Sequence, residues 1–304
     1  MAAHLPSQLP AETGHTAEEI ASQPRCWRRA IELAGVEGLP VPGERVAVIG
    51  CGTSLFMAQA YAWLRENAGH GETDAFTASE LPPTRRYDRV LALTRSGTTT
   101  EILDTLAKLR GATPTTVITG TQGSPVFSVA DKVILLDFAD ERSVVQTRFA
   151  TTTLILLRAH LGEDLADVVR DGEAALADPL PEGVLDRTQF TFLGAGWTIG
   201  LAAEAALKLR EATLSWSESY PALEYRHGPI AITDERSAVW MLGEPAPGLA
   251  AQVGETGGLW INRDRDPLAE LVAVHRLAVS LAALRGLDPD SPRHLSRSVI
   301  LRGS

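Results

Sequence analysis

The sequence predicts an α/β fold of parallel sheets built from two copies of one unit, and three observations carry that expectation. Apolar runs of strand length alternate with helical patterns, the signature of βαβ units whose sheet is covered on both faces. A strand, a Gly-x-Gly turn and an Ala-rich helix occur twice, as "VAVIGCGTSLFMAQAYAWLRE" and "FTFLGAGWTIGLAAEAALKLRE", with Gly50 and Gly52 answering to Gly194 and Gly196 at an offset of 144 residues. At 304 residues and 44 % apolar composition, the chain can fill two ordinary domains or one large α/β domain.

Residues 1–14, rich in proline and small residues, read as a disordered lead. Strands are expected at 45–50, 88–94, 115–120 and 131–137, with helices at about 54–67 and 99–110 between them. A long helix over about 143–161 closes the first unit, and the Pro- and acid-rich stretch 171–187 is the candidate linker. The second copy continues with a strand at 237–242, a weaker one at 258–262 and a helix across 267–286. It is the shorter of the two, so its sheet is expected to have fewer strands or shorter connections.

Composition narrows the function. A net charge of −10 and no Lys/Arg-dense stripe argue against nucleic acid as a partner. Cys26 and Cys51 alone make neither a disulfide framework nor a metal site, so no metal and no cofactor is expected. The N-terminus lacks a signal-peptide pattern and no run reaches ~18 consecutive apolar residues, so no membrane span is expected and the address is a reduced cytoplasm.

Two turns suggest anion binding. Cys51-Gly52-Thr53-Ser54 follows an apolar strand and opens a helix, where hydroxyls, backbone N–H groups and the helix dipole can hold a phosphate; the same residues also make an ordinary N-cap. Thr94-Arg95-Ser96-Gly97-Thr98-Thr99 repeats the chemistry after a second strand, and two such turns in one sheet make a convergent cup. A dinucleotide site is the rival, but Gly50-Cys51-Gly52 is followed by Leu55 where the fingerprint wants glycine, and Gly200 comes one residue late in the second copy. No Walker sequence is present.

The third motif is a stripe of charge on an apolar helix. Glu204, Lys208 and Glu211 stand at i, i+4 and i+7, one face of the helix. The stripe reads either as a surface ion pair worth a few tenths of a kcal/mol or as the wall of a polar cavity with Glu211 as a general base. His227, before Gly228-Pro229 and among Glu218, Tyr220, Glu224 and Tyr225, reads either as a loop residue or as a proton donor to a sugar ring oxygen.

In order along the chain, "CGTS", "TRSGTTTE", "ERSVVQTRFATT", "ALKLREATLSWSESYPALEYRHGP" and "DSPRHLSRSV" resemble the motifs of the sugar isomerase (SIS) domain family, and "HTAEEIASQP" at 15–24 resembles its entry segment. The likeness is closest to the isomerase half of the glucosamine-6-phosphate synthases. It implies two tandem SIS domains over 15–172 and 187–304, each a flavodoxin-like α/β/α sandwich, assembled as a homodimer that binds a sugar phosphate. By resemblance, Ser54, Thr94, Ser96 and Thr99, with Arg95 beside them, fall on the phosphate site, and Gly52, Thr53, Val144, Gln146 and Arg297 fall around the rest of the substrate. Glu211 falls on the enolisation base, Lys208 on a lysine near the reacting end, and His227 on the ring-opening histidine, which a neighbouring subunit lends.

Three departures bear on the activity. No glutamine amidotransferase domain precedes the motifs, so the chain is not expected to draw ammonia from glutamine. Arg297 stands where the family has an imine-forming lysine, and a guanidinium stays protonated and forms no imine. Arg95 stands where the synthases have glutamine, which is expected to add positive charge to the cup. The resulting expectation is an enzyme moving a proton between C1 and C2 of a hexose or amino-sugar 6-phosphate, of isomerase, deaminase or fructosamine-phosphate deglycase type. The alternative is a non-catalytic phosphosugar-binding regulator, although the roughly 44 residues before the first strand leave no room for a helix-turn-helix domain and linker.

Overall fold

The computed structural model describes residues 14–301, so all but Gly14 of the expected disordered lead lies outside the described residues. The first half runs α1 His15–Ala21, α2 Gln23–Ile31, β1 Val46–Gly50, α3 Thr53–Asn67, β2 Thr73–Thr77, β3 Arg89–Leu93, α4 Thr100–Leu109, β4 Thr115–Thr119, α5 Val126–Val129, β5 Lys132–Leu135, α6 Arg148–His160 and α7 Ala166–Ala177. The second runs β6 Gln189–Gly194, α8 Thr198–Thr213, β7 Trp216–Pro221, β8 Ser237–Leu242, α9 Leu249–Glu255, β9 Leu259–Ile261 and α10 Pro267–Leu284.

All strand pairs are parallel. The first sheet has the order β2-β1-β3-β4-β5 and the second β7-β6-β8-β9, the same winding less one strand. In both, the strand order reverses beside the Gly-x-Gly strand, which puts a switch-point crevice at the carboxyl ends of β1 and β3 and again at those of β6 and β8. The shorter second copy does have fewer strands.

Alternate strand residues divide between two packing layers, as the period of two requires. Val46 and Val48 of β1, with Phe190 and Phe192 of β6, enter one continuous core shared by both halves. Ala47 and Ile49 face a separate cluster with Ile102 and Leu106 of α4, and Leu193 faces another with Leu249 and Val253 of α9. Both sheets are thus covered on both faces.

Three expectations change. The stretch 171–187 is not all linker, because α7 continues through Ala177 on buried Val168, Val169, Gly172 and Ala175. The long helix begins at Arg148 rather than near 143, since 141–147 is an irregular segment that binds the functional region. The edge strands β2 and β7 have no counterpart in the sequence reading. Helix α10 is long and apolar enough to cross a membrane by length and composition, but its residues are mostly buried in the core.

Candidate active site

The two halves meet through their matching helices. Gly200 of α8 lies so close to α3 that an added Cβ would come within 2.4 Å of the Phe56 carbonyl oxygen. Gly196, two residues before α8, lies against the Trp63 ring toward the far end of α3, so the helices run in opposite senses. The last turn of α8 is therefore delivered to the first turn of α3. This crossing carries Glu211 from the second half to the anion cup of the first.

The cup forms at the β1/β3 switch point. An inner cavity of about 30 Å³, lined by Ser54, Thr94, Ser96 and Thr99, adjoins an outer one of about 190 Å³ lined by Gly52, Thr53, Val144 and Glu211. Cys51, Arg95, Thr99, Gln146 and Arg297 line both. Among the described residues, the hydroxyls of Ser54, Thr94 and Thr99 make no side-chain hydrogen bond, and the Gln146 Oε1 is buried without a partner. Ser96 Oγ instead accepts from the Thr98 backbone N–H at 3.2 Å and from its hydroxyl at 3.0 Å, which shapes the turn.

Arg95 departs from the expectation of free charge in the cup. It is buried, donates to the carbonyls of Ser143 (3.0 Å), Val144 (3.1 Å) and Arg297 (2.9 Å), and has the Glu141 carboxylate 3.5 Å away. Its charge is thereby compensated and its two terminal nitrogens brace the rim. Arg297 is similarly engaged, with Nη2 2.5 Å from Asp140 Oδ1 and 3.2 Å from Thr121 Oγ1, and Nε donating to the Glu141 carbonyl at 3.0 Å. The tail passes over the turn, where the Ser298 and Thr98 hydroxyl oxygens lie 2.9 Å apart.

The charged stripe of α8 is buried, so it is no surface ion pair. Lys208 Nζ hydrogen-bonds Glu211 Oε2 and stands 3.6 Å from Glu204 Oε1, while Glu204 and Lys208 are both within 1 % of full burial and Glu211 keeps 19 % of its side chain exposed. Burial pushes Glu204 up to about 7 against the pull of Lys208. Burial also works against the Lys208 charge, but Glu204 and Glu211 outweigh it and raise the lysine above its ordinary value. Lys208 is a held cation rather than a free amine.

His227 is exposed on the short 3-10 turn Glu224–His227 and does not line either cavity of its own chain. The structure thus brings Glu211 to the cup, with Lys208 buried behind it, and leaves His227 outside it.

Three groups around the site were not legible in the sequence. Glu141 accepts from the Thr147 N–H (2.7 Å), the Thr147 hydroxyl (3.0 Å) and the Arg148 N–H (2.6 Å), capping α6 from six or seven residues upstream, a spacing with no local signature. Glu19 of α1 accepts from the Arg142 N–H at 2.6 Å and binds the Ser143 hydroxyl, holding the segment that Arg95 braces. His275 of α10 lies behind the stripe, with Nε2 3.8 Å from Glu204 Oε1.

The SIS domain model matches residues 42–161. The glutamine–fructose-6-phosphate aminotransferases [isomerizing] of Methanothermobacter thermautotrophicus and Thermus thermophilus are 27 % and 28 % identical, over 93 % and 84 % of this chain. The chain spans about half the length of these curated relatives, 56 % and 52 %. Among solved structures, glucosamine-6-phosphate deaminase from Thermotoga maritima superposes with a TM-score of 0.80 and 25 % identity, covering 95 % of this chain and all of that one. Tagatose-6-phosphate ketose/aldose isomerase from Escherichia coli shares the fold, with a TM-score of 0.75, 20 % identity and coverage of 98 % and 99 %. Residues 42–161 thus match the SIS domain family, and the chain as a whole resembles the isomerase portion of the aminotransferases.

Proposed function

We propose that the chain is a phosphosugar-processing enzyme, in which the β1/β3 cup holds the phosphate of a hexose or amino-sugar 6-phosphate and Glu211 moves a proton between C1 and C2. The observation that supports it is that Glu211 lines the outer cavity that shares five residues with the Ser54/Thr94/Thr99 cup. Hydroxyls without protein partners suit the phosphate oxygens, and the backbone N–H groups that open α3 and α4 add the positive end of each helix dipole. In the enolisation step Glu211 takes the proton from one carbon as the carbonyl oxygen at the other gains one, giving an enediol; returning the proton to the second carbon while the hydroxyl on the first gives up its own leaves the carbonyl on the first carbon. Lys208 stabilises the negative charge that develops on the sugar oxygens.

Covalent imine chemistry through a lysine has no support here. Arg297 cannot form an imine, and Lys208 is held as an ammonium between two carboxylates. This favours reactions completed by proton transfer and water: aldose–ketose isomerisation, amino-sugar deamination or deglycation of a fructosamine phosphate. Following the family resemblance, residues 187–304 are read as a second SIS domain, the assembly as a homodimer, and exposed His227 as a ring-opening acid lent to the site of a neighbouring subunit.

The test is a thermal-shift screen of hexose, hexosamine and fructosamine 6-phosphates followed by product analysis. A ligand at ~100 times its Kd should stabilise the fold by about 2.7 kcal/mol. Turnover that disappears in Glu211→Gln while the thermal shift persists supports the enzyme. A shift with no turnover by the unaltered chain supports a binding protein instead.

A further inference from the structure

A chain of buried contacts behind the candidate base fixes the hydrogen positions on His275. The Trp27 indole can only donate, and it donates to Thr151 Oγ1 at 3.0 Å. The Thr151 hydroxyl lies 2.7 Å from Gln23 Oε1, nearer than the Thr147 and Arg148 carbonyls at 3.3 Å, and Gln23 Nε2 donates to the Ile20 carbonyl at 3.3 Å, which sets the orientation of the amide. The other end of the Gln23 amide, Nε2, is then the face toward His275 Nδ1 at 3.3 Å, which must act as an acceptor. The proton of a neutral His275 therefore sits on Nε2.

That Nε2–H faces a carboxylate without a close hydrogen bond, its charge met by Lys208 and the nearby Thr53 side chain. His275 Nε2 and both oxygens of Glu204 are buried with no hydrogen bond, and Nε2 stands 3.8 Å from Glu204 Oε1. The separation is longer than a hydrogen bond and short enough for a strong electrostatic contact in a dry site. Lys208 reaches the same oxygen, Glu204 Oε1, at 3.6 Å and also hydrogen-bonds Glu211. Glu141, in the segment before α6, is the remaining ionisable group whose charge reaches both Glu204 and His275.

We propose that His275 is a positioning residue: its Nε2–H, oriented through Trp27, Thr151 and Gln23, stabilises the charged form of Glu204 and so keeps Lys208 shared between Glu204 and Glu211. When Glu204 is protonated, the ammonium has Glu211 as its sole charged partner on the stripe, and the base is held as an ion pair. When Glu204 is charged, the pull on Glu211 is divided. His275 remains neutral throughout, because burial and then the Lys208 charge hold it down at about 3. Its consequence for catalysis rests on the reading of Glu211 as the base. Its effect on Glu204 does not.

The test is a carbon-13 NMR titration of protein labelled at the Glu side-chain carboxyl, with the Glu204 resonance identified by its loss in Glu204→Gln. His275→Leu, which lacks the donor, should move the Glu204 midpoint up by about one pH unit, whereas His275→Gln, which can donate from its amide, should leave it near the wild-type value. An unmoved midpoint in His275→Leu, or an equal rise in both variants, overturns the proposal. Should His275→Leu fail to fold, nitrogen-15 NMR of histidine in the unaltered protein decides: a neutral Nε2–H tautomer from pH 5 to 9 is required, and an Nδ1–H tautomer or a protonated ring overturns it. With a substrate in hand, the acid limb of kcat should rise with Glu204 in His275→Leu while KM stays constant. Absence of turnover in the unaltered chain would count against Glu211 as base and leave the NMR outcome to judge His275.

Discussion

The two switch points have the same backbone plan and opposite contents. At an offset of 144 residues, Thr53 and Ser54 in the first turn answer to Trp197 and Thr198 in the second. The Ser54 hydroxyl is left without a side-chain bond, whereas Thr198 Oγ1 closes on its own turn, accepting from the Ala195 N–H at 2.8 Å and donating to the Ala195 carbonyl at 3.0 Å. The turn after β3 carries Thr94, Ser96 and Thr99, while the turn after β8 reads Gly243-Glu244-Pro245. Trp197 lies under the Arg158 guanidinium at 4.9 Å, and Arg158 pairs with Asp266 and Glu163. The second crevice is a structural joint.

The helices reverse the assignment. Glu204, Lys208 and Glu211 of α8 correspond to Ala60, Leu64 and Asn67 of α3, so the acid belongs to the half whose turn is closed. On the proposed reading one copy supplies the anion cup and the other the proton carrier, and the antiparallel α3–α8 crossing joins them. A duplicated unit can divide one site between its copies in this way, since each needs to keep only half of the chemistry.

Variants can break this division, beginning with the largest effect. Glu211→Gln should lower kcat by about 10²–10⁴-fold with the ligand-induced thermal shift retained, the loss expected for a general base. Ser54→Ala should weaken sugar-phosphate binding by about 1.5–3 kcal/mol, the range for hydrogen bonds to charged groups, as titration calorimetry can measure. Its counterpart Thr198→Val should leave that affinity unchanged and cost about 1 kcal/mol of stability in denaturant unfolding. Gly200→Ala should destabilise by about 1–3 kcal/mol through overpacking against the Phe56 carbonyl, and impair turnover more than phosphate binding because it moves α8 against the cup.

The smallest effect concerns pH. His275 is lowered from 6.5 to about 3, so the unfolded chain binds the extra proton in that window and stability falls as pH falls through it. Glu204 is raised from 4.5 to about 7, so the folded chain binds the extra proton in its window and stability rises as pH falls through it. Between 4.5 and 6.5 the two oppose each other. His275→Gln removes the first contribution, so its melting temperature relative to wild type should climb as pH drops from 6.5, the difference growing by a few degrees.

Most of the sheet architecture could be read in advance because buried parallel strands are apolar throughout. "VAVIG", "RVLAL" and "SAVWML" declare themselves, whereas β2 "TDAFT" and β7 "WSESYP" are edge strands with one neighbour each and carry polar residues. The hydroxyl turns and the α8 stripe were visible as local spacing. Whether that stripe was wet or buried was not, since the answer depends on Gly200 and on α10 packing behind it. Arg95 illustrates the same limit: an arginine beside an anion turn suggests free charge, and only the fold shows Glu141 and three carbonyls occupying it. Gln23 and His275 are 252 residues apart and have no joint signature at all.

The Glu211 carboxylate and the β1/β3 cup are proposed to act on one sugar phosphate. The most direct test is proton NMR of hexose and amino-sugar 6-phosphates in D₂O, following wash-in of deuterium at C1 and C2 with wild type, Glu211→Gln and Ser54→Ala. The account predicts exchange with wild type at a subsaturating concentration, none above background with Glu211→Gln although the sugar still stabilises that variant, and slower exchange restored by excess sugar with Ser54→Ala. Exchange by Glu211→Gln at the wild-type rate would contradict it.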